Sequence, residues 1–194
     1  MHHLFVTVGT TEFDRLVAAV LAPPFLAAAA AAGFGSLAVQ LGRSPAAWRM
    51  ATAAAAAAAA ALPAADGAVR WADPATGIAI EAFTLKPSLE PDMRRAARIV
   101  SHAGAGSVLE ALDLHRPLLV VANPDLMDNH QQELATALQR LGVLVCADSP
   151  DDLVRVFESA DFEALVPLGR PDPAAFSSIM LEAAGLPIAG ASAQ

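Results

Sequence analysis

The sequence contains a single cysteine, Cys146. That excludes an internal disulfide and a cysteine-held metal cluster. Positive charge is scarce: 12 Lys and Arg stand against 20 Asp and Glu, for a net charge of −8 and a pI near 4.9. An acidic chain is a poor partner for a phosphate backbone, so nucleic acid is excluded. No apolar run reaches the ~20 uninterrupted residues of a bilayer span. The uncharged stretch from Leu16 to Gly42 is cut by Pro23-Pro24 and again by Gly33 and Gly35. The opening Met1-His2-His3-Leu4 enters a strand at once, with no basic segment of a secretory signal. No GxGxxG follows the first strand, which speaks against an NAD-binding redox domain. There is also no DxD-type acidic pair placed to hold a metal.

What is present is apolar: 55% of the 194 residues, with a mean hydropathy of +0.46. Much of it is alanine, which contributes little buried area per residue. The length suits one substantial domain, taken as residues 1–194.

Strands and helices alternate along the chain. Leu4–Val8 reads as a strand, with Thr10 or Thr11 able to cap a helix over Phe13–Leu21. Pro23-Pro24 starts a second helix, and Leu37–Leu41 is the next strand. Residues 44–76 carry an alanine tract from Ala53 to Ala61 among prolines and glycine, and read as a low-complexity surface insertion, with room for a fragment of alanine helix, that ligand binding does not need. Ile78–Phe83 alternates as a strand, and Ser88 can cap a helix to about Ala97 whose Arg94, Arg95 and Arg98 read as a solvated face. Ala97–Val100, Pro117–Val121 and Leu144–Cys146 are apolar strands, with Cys146 read as a small buried residue. Helices are expected from Asn129, from Ser149-Pro150 and from Asp172-Pro173. This alternation predicts a Rossmann-like α/β fold, a parallel sheet with helices on both faces. Ligands of such sheets bind beyond the C-terminal strand ends, where the loops at 9–11, 102–107 and 123–132 should converge.

The loop Ser101-His102-Ala103-Gly104-Ala105-Gly106-Ser107 joins a strand to a helix and points unpaired N–H groups outward. With the helix dipole behind it, the turn is an anion site. Glu110, one turn into that helix, can accept hydrogen bonds from sugar hydroxyls. Phosphate and ribose recognition in one loop suggests a nucleotide or nucleotide-sugar. A plain glycine turn fits the same residues, as a capped turn fits Gly9-Thr10-Thr11. Asn129, His130 and Gln131, with Gln132, gather amides and imidazole where a sugar would lie. His102 reads as a phosphate donor, as a base or as a packed structural histidine. Arg43 can reach the cleft or stay solvated.

Four ordered segments carry a resemblance: Phe5–Asp14, Gln40–Arg43, Ser101–Ser107 and Leu126–Gln131. Together they resemble the catalytic subunits of the eukaryotic UDP-N-acetylglucosamine transferase that makes the second sugar of the dolichol-linked oligosaccharide. That resemblance implies a single GT-B C-terminal-type half-domain, similar to the donor-binding half of the bacterial enzyme that adds GlcNAc to a lipid-linked muramyl intermediate. It implies that Glu110 holds the ribose, that Gly104, Ala105, Gly106, Ser107 and the Gly9 turn cradle the diphosphate, and that His130 and Gln131 meet the GlcNAc. It implies GlcNAc transfer from UDP-GlcNAc to GlcNAc-diphosphodolichol with inversion, without metal or other cofactor. The implied partner is a membrane-anchored, acceptor-binding subunit that recruits the chain to the cytosolic face of the endoplasmic reticulum. No catalytic base is assigned. Two alternatives stand beside it: a transferase with another acceptor, and a non-catalytic UDP-sugar-binding subunit.

Overall fold

Successive side chains of a strand point to opposite faces of its sheet, so a continuous apolar run needs cover on both. A computed structural model of the chain describes residues 1–58, 66–123 and 129–167, the side chains of 129–132 excepted. In it, β1 (His2–Thr7) sends Leu4 and Val6 into one core and Phe5 into another. β2 (Phe34–Gln40) separates Leu37 and Val39 from Ala38 in the same way.

The helices divide between the two faces. α1 (Asp14–Leu21), α2 (Pro23–Ala31) and α3 (Pro45–Ala57) share the first core with α7 (Leu153–Ser159). α4 (Glu90–Arg95), α5 (Ala105–Asp113) and α6 (Asn129–Arg140) cover the second. Between them lie β3 (Val69–Ala72), β4 (Ala79–Phe83), β5 (Arg98–His102), β6 (Leu118–Val121) and β7 (Val145–Ala147). The sheet order is β3-β4-β2-β1-β5-β6-β7, parallel throughout except for β3 against β4. The chain winds outward from β1 to β4, then returns to place β5 on the other side of β1. Strand order therefore reverses between β1 and β5, the place where such sheets open a crevice.

The structure differs from the sequence reading at four points. Segment 44–76 is no surface insertion in its described parts: α3 buries Ala47, Ala51 and Ala55, and β3 pairs with β4 as the sheet edge. Alanines at a four-residue spacing let a helix lie close to its sheet, a packing role that composition hides. Neither Thr10 nor Thr11 caps α1, whose N-cap is Phe13; the Thr11 hydroxyl instead donates to the Val8 carbonyl at 2.7 Å. Ser88 lies one residue before the N-cap Leu89 of α4, and its hydroxyl still accepts from the N–H of Glu90, the first residue of that helix, at 3.2 Å, so it caps the helix from one position further out. Arg98 is no solvated helix residue: it opens β5 and lies 3.6 Å from the Phe162 ring centroid and 4.7 Å from that of Phe157. The helix expected from Asp172 falls outside the described residues.

Cys146 lies on β7, partly buried, and burial pushes its thiol up to about 12. Among the described residues no single helix is long and apolar enough to cross a membrane. The bent pair α1 and α2 has the composition for it, but Val17, Val20, Phe25 and Leu26 are buried in the first core.

Candidate functional site

The loops after β1, β4 and β5 bound a cavity of about 480 Å³ at the C-terminal end of the sheet. The β1 loop contributes Gly9 and Thr10. The β5 loop contributes His102, Gly104, Ala105, Gly106 and Ser107, and α5 adds Glu110. The structure thus brings eight expected residues together at the reversal of strand order. Thr11 is not among the lining residues, because its hydroxyl is spent in closing the turn onto Val8. Asn129, His130, Gln131 and Gln132 open α6, but their side chains lie outside the described residues. Arg43 lines a neighbouring hollow of about 400 Å³ with Trp48, which meets the cavity at Leu85.

Each part follows from local chemistry. α5 starts at Ala105 behind the N-cap Gly104, and no side chain caps it. The first N–H groups of a helix have no partner within it, so those of 105–107 are left for the cavity. Gly106 is exposed, and a Cβ there would meet nothing within 4 Å. Its glycine is therefore not demanded by the protein's own packing. Glu110 is half-buried on the same wall.

His102 packs between the two glycine turns. A Cβ on Gly9 would stand 2.6 Å from its Cε1, and Gly9 has a φ of +62°, where glycine is at ease. The ring is 9% exposed, and Nδ1 is sealed from solvent with no well-aligned partner. Burial lowers its pKa, with the Thr7 backbone opposing. Enclosure leaves little of the ring open to an acceptor and the lowered pKa makes it a weaker proton acceptor, so the packed reading of this residue fits better than the base reading.

Beneath it lies a buried polar chain. The Gly9 N–H donates to Thr7 Oγ1 at 3.0 Å, and the Thr7 hydroxyl donates to Gln40 Oε1. The Gly9 N–H is therefore engaged inside the protein, and Thr10 is the turn residue left to face the cavity. Thr7 and Gln40 sit opposite each other in the β1–β2 register, and Gln40 reaches the cavity floor.

Two contributions escaped the sequence reading. One is Gln40, whose signal was a polar residue closing an apolar strand beside the equally polar end of β1. The other is the β4–α4 loop, Leu85 to Leu89, which forms a further wall. Its signal was topological: β4 is parallel to β1 and β5, so its C-terminal loop must emerge on the same side.

Comparison with known proteins bears on the family and the fold. Residues 3–177 match the model of the glycosyltransferase family 28 C-terminal domain. A protein of Eremothecium gossypii named UDP-N-acetylglucosamine transferase subunit ALG13 is 36% identical over 190 residues, covering 92% of this chain and 91% of its own. The human protein of the same name is 37% identical over 144 residues, 74% of this chain. The chain spans only about a tenth of that human relative and its mouse counterpart, 11% and 10% of their lengths. An NMR solution structure of ALG13 superposes with a TM-score of 0.69 at 26% identity, covering 93% of this chain and 96% of that one. Acinetobacter baumannii MurG shares the fold, with a TM-score of 0.53 at 16% identity over 93% of this chain and 44% of its own. From the match over 3–177 and the relative that it covers nearly end to end, the chain belongs to the glycosyltransferase family 28 C-terminal domain family.

Proposed function

We propose that this chain is the donor-binding subunit of an inverting N-acetylglucosaminyltransferase, which moves GlcNAc from UDP-GlcNAc to the 4-hydroxyl of GlcNAc-diphosphodolichol. One observation carries the reading: the uncapped N-terminus of α5 and the Glu110 carboxylate face one cavity at the strand-order reversal. Unpaired N–H groups and a helix dipole suit a diphosphate, and a carboxylate five residues past Ala105 suits ribose hydroxyls. The names of the curated relatives support the choice of UDP-GlcNAc over other nucleotide sugars.

In the proposed reaction the acceptor oxygen attacks the anomeric carbon, a C1–O4 bond forms and the bond from C1 to the UDP oxygen breaks. The proton of the acceptor hydroxyl goes to a base that we assign to the acceptor-binding partner, because His102 is enclosed beneath Gly9 and Gly104. The departing diphosphate gains charge as the bond breaks, and the preorganised N–H groups of 105–107 would stabilise that charge without a metal. His130 and Gln131 at the start of α6 are proposed to meet the GlcNAc. The relatives are named as a subunit. We take the partner to be a membrane-anchored protein that brings this chain to the cytosolic face of the endoplasmic reticulum.

Calorimetric titration with UDP-GlcNAc, and with NAD as control, tests the donor site. Binding of the first alone is expected. Turnover of GlcNAc-diphosphodolichol on adding the acceptor-binding partner tests the reaction. Donor binding without turnover in that assay would identify a non-catalytic UDP-sugar-binding subunit instead.

A further inference from the structure

The wall formed by the β4–α4 loop carries the only lysine in the 194 residues, Lys86. A lone ammonium beside a diphosphate site invites the idea that it grips phosphate. Its partners point elsewhere. Nζ donates to both carboxylate oxygens of Asp92, at 2.9 and 3.1 Å. It also stands 3.6 Å from Oε1 of Glu81 and 3.8 Å from the centroid of the Phe83 ring. An ammonium has three donors, and two acidic partners with an aromatic face leave it little to offer a further anion.

The positions of these partners matter more than their number. Phe83 ends β4, and Asp92 lies in the first turn of α4. Lys86 therefore joins the two ends of the loop it sits in. The Asp92 side chain is only 16% exposed, so this pair is screened less than a surface pair. The same loop holds Leu85 at 44% exposure, an apolar side chain kept at the cavity mouth. A wall fixed before binding spares a ligand the entropy of ordering it.

We infer that Lys86 is a positioning residue: by clasping Asp92 across Phe83 it fixes residues 85–89 as a wall of the cavity, and nucleotide-sugar affinity depends on that clasp rather than on contact between Lys86 and the ligand. The inference rests on reading the cavity as a nucleotide-sugar site.

Asp92→Asn separates the two roles. It removes the charge and one of the two acceptor oxygens of the clasp, and leaves the lysine charged, with Glu81 as its remaining acidic partner. Calorimetry with UDP-GlcNAc should show Asp92→Asn and Lys86→Met each weakening binding by about tenfold, the scale for members of one network. The double variant should be no weaker than either, and Lys86→Arg should restore most of the affinity. Thermal midpoints should stay near that of the unmodified chain, which separates a displaced wall from a damaged fold. Lysine labelled with ¹³C at Cε gives one resonance from Lys86, and Asp92→Asn should shift it in the ligand-free chain. Unchanged or tighter binding by Asp92→Asn, with a loss in Lys86→Met, would make Lys86 a direct ligand contact and overturn the inference. Unchanged binding in both variants overturns it as well. Failure of the unmodified chain to bind UDP-GlcNAc would instead sink the reading on which it rests. If Lys86→Met fails to fold, Asp92→Asn and Lys86→Arg still decide.

Discussion

A Cβ on Gly104 would stand 2.2 Å from Nε2 of His102, well inside contact distance. The imidazole and the glycine turn are thus fitted to each other, and the turn opens the helix whose N–H groups face the cavity. Gly104→Ala should push the ring aside and cost about 1–3 kcal/mol of stability, the usual range for overpacking. Urea denaturation measures it. Adding His102→Ala to Gly104→Ala should recover part of the loss, and a double variant less stable than the sum of both would contradict the fit.

Gly106 behaves differently, because a Cβ there meets open space within a helix. Gly106→Ala should raise stability by about 0.4–1 kcal/mol through the unfolded state. It should still weaken UDP-GlcNAc binding, since the methyl group enters room left for the ligand. Gain of stability with unchanged affinity would place the diphosphate elsewhere.

Glu110→Ala should weaken UDP-GlcNAc binding by about 1.5–3 kcal/mol through lost charge-assisted hydrogen bonds, or roughly 10- to 150-fold in Kd. Calorimetry on the folded variant is the check. A Kd within twofold of the unmodified chain would remove Glu110 from the ribose.

Burial lowers the pKa of both His3 and His102 from the usual 6.5; Arg95 adds to the effect at His3, and the Thr7 backbone opposes it at His102. The folded chain keeps both rings neutral where the unfolded chain has begun to bind protons. Their contribution to stability is therefore fully present above about pH 6.5 and declines as pH falls below it. Urea midpoints between about pH 7.5 and pH 5.5 should fall, and His102→Asn should flatten part of the slope. A midpoint that rises on acidification would reverse the sign assigned to these groups.

Six of the seven strands were legible because they are apolar runs such as Leu118–Val121 punctuated by glycine and proline, while the edge strand β3 lay hidden in the alanine-rich segment. Residues of the β1 and β5 loops were legible for the same reason: each follows a clear strand. The β4–α4 loop was not, since Leu85, Lys86 and Pro87 form no recognisable motif and matter only through the strand order that places them. Arg98 was misread because a row of three arginines looks solvated, and only the fold brings Phe157 and Phe162 to it from some 60 positions along the chain. Composition misjudged α3 most, since alanine signals neither burial nor exposure.

The two kinds of alanine in α3 can be told apart. Ala51 is fully buried and Ala56 is exposed. Ala51→Leu should cost about 1–3 kcal/mol. Ala56→Leu should change stability by no more than about 0.5 kcal/mol. Equal effects in a thermal melt would mean that α3 does not pack as described.

Ala47, Ala51 and Ala55 also bear on how relatives of this chain are found. Ala53, Ala56 and Ala57 on the outer side of α3 are exposed and carry no packing demand, while these three set the depth at which the helix lies. A search that masks biased composition would discard both kinds together, and with them the register that links β2 to the sheet edge.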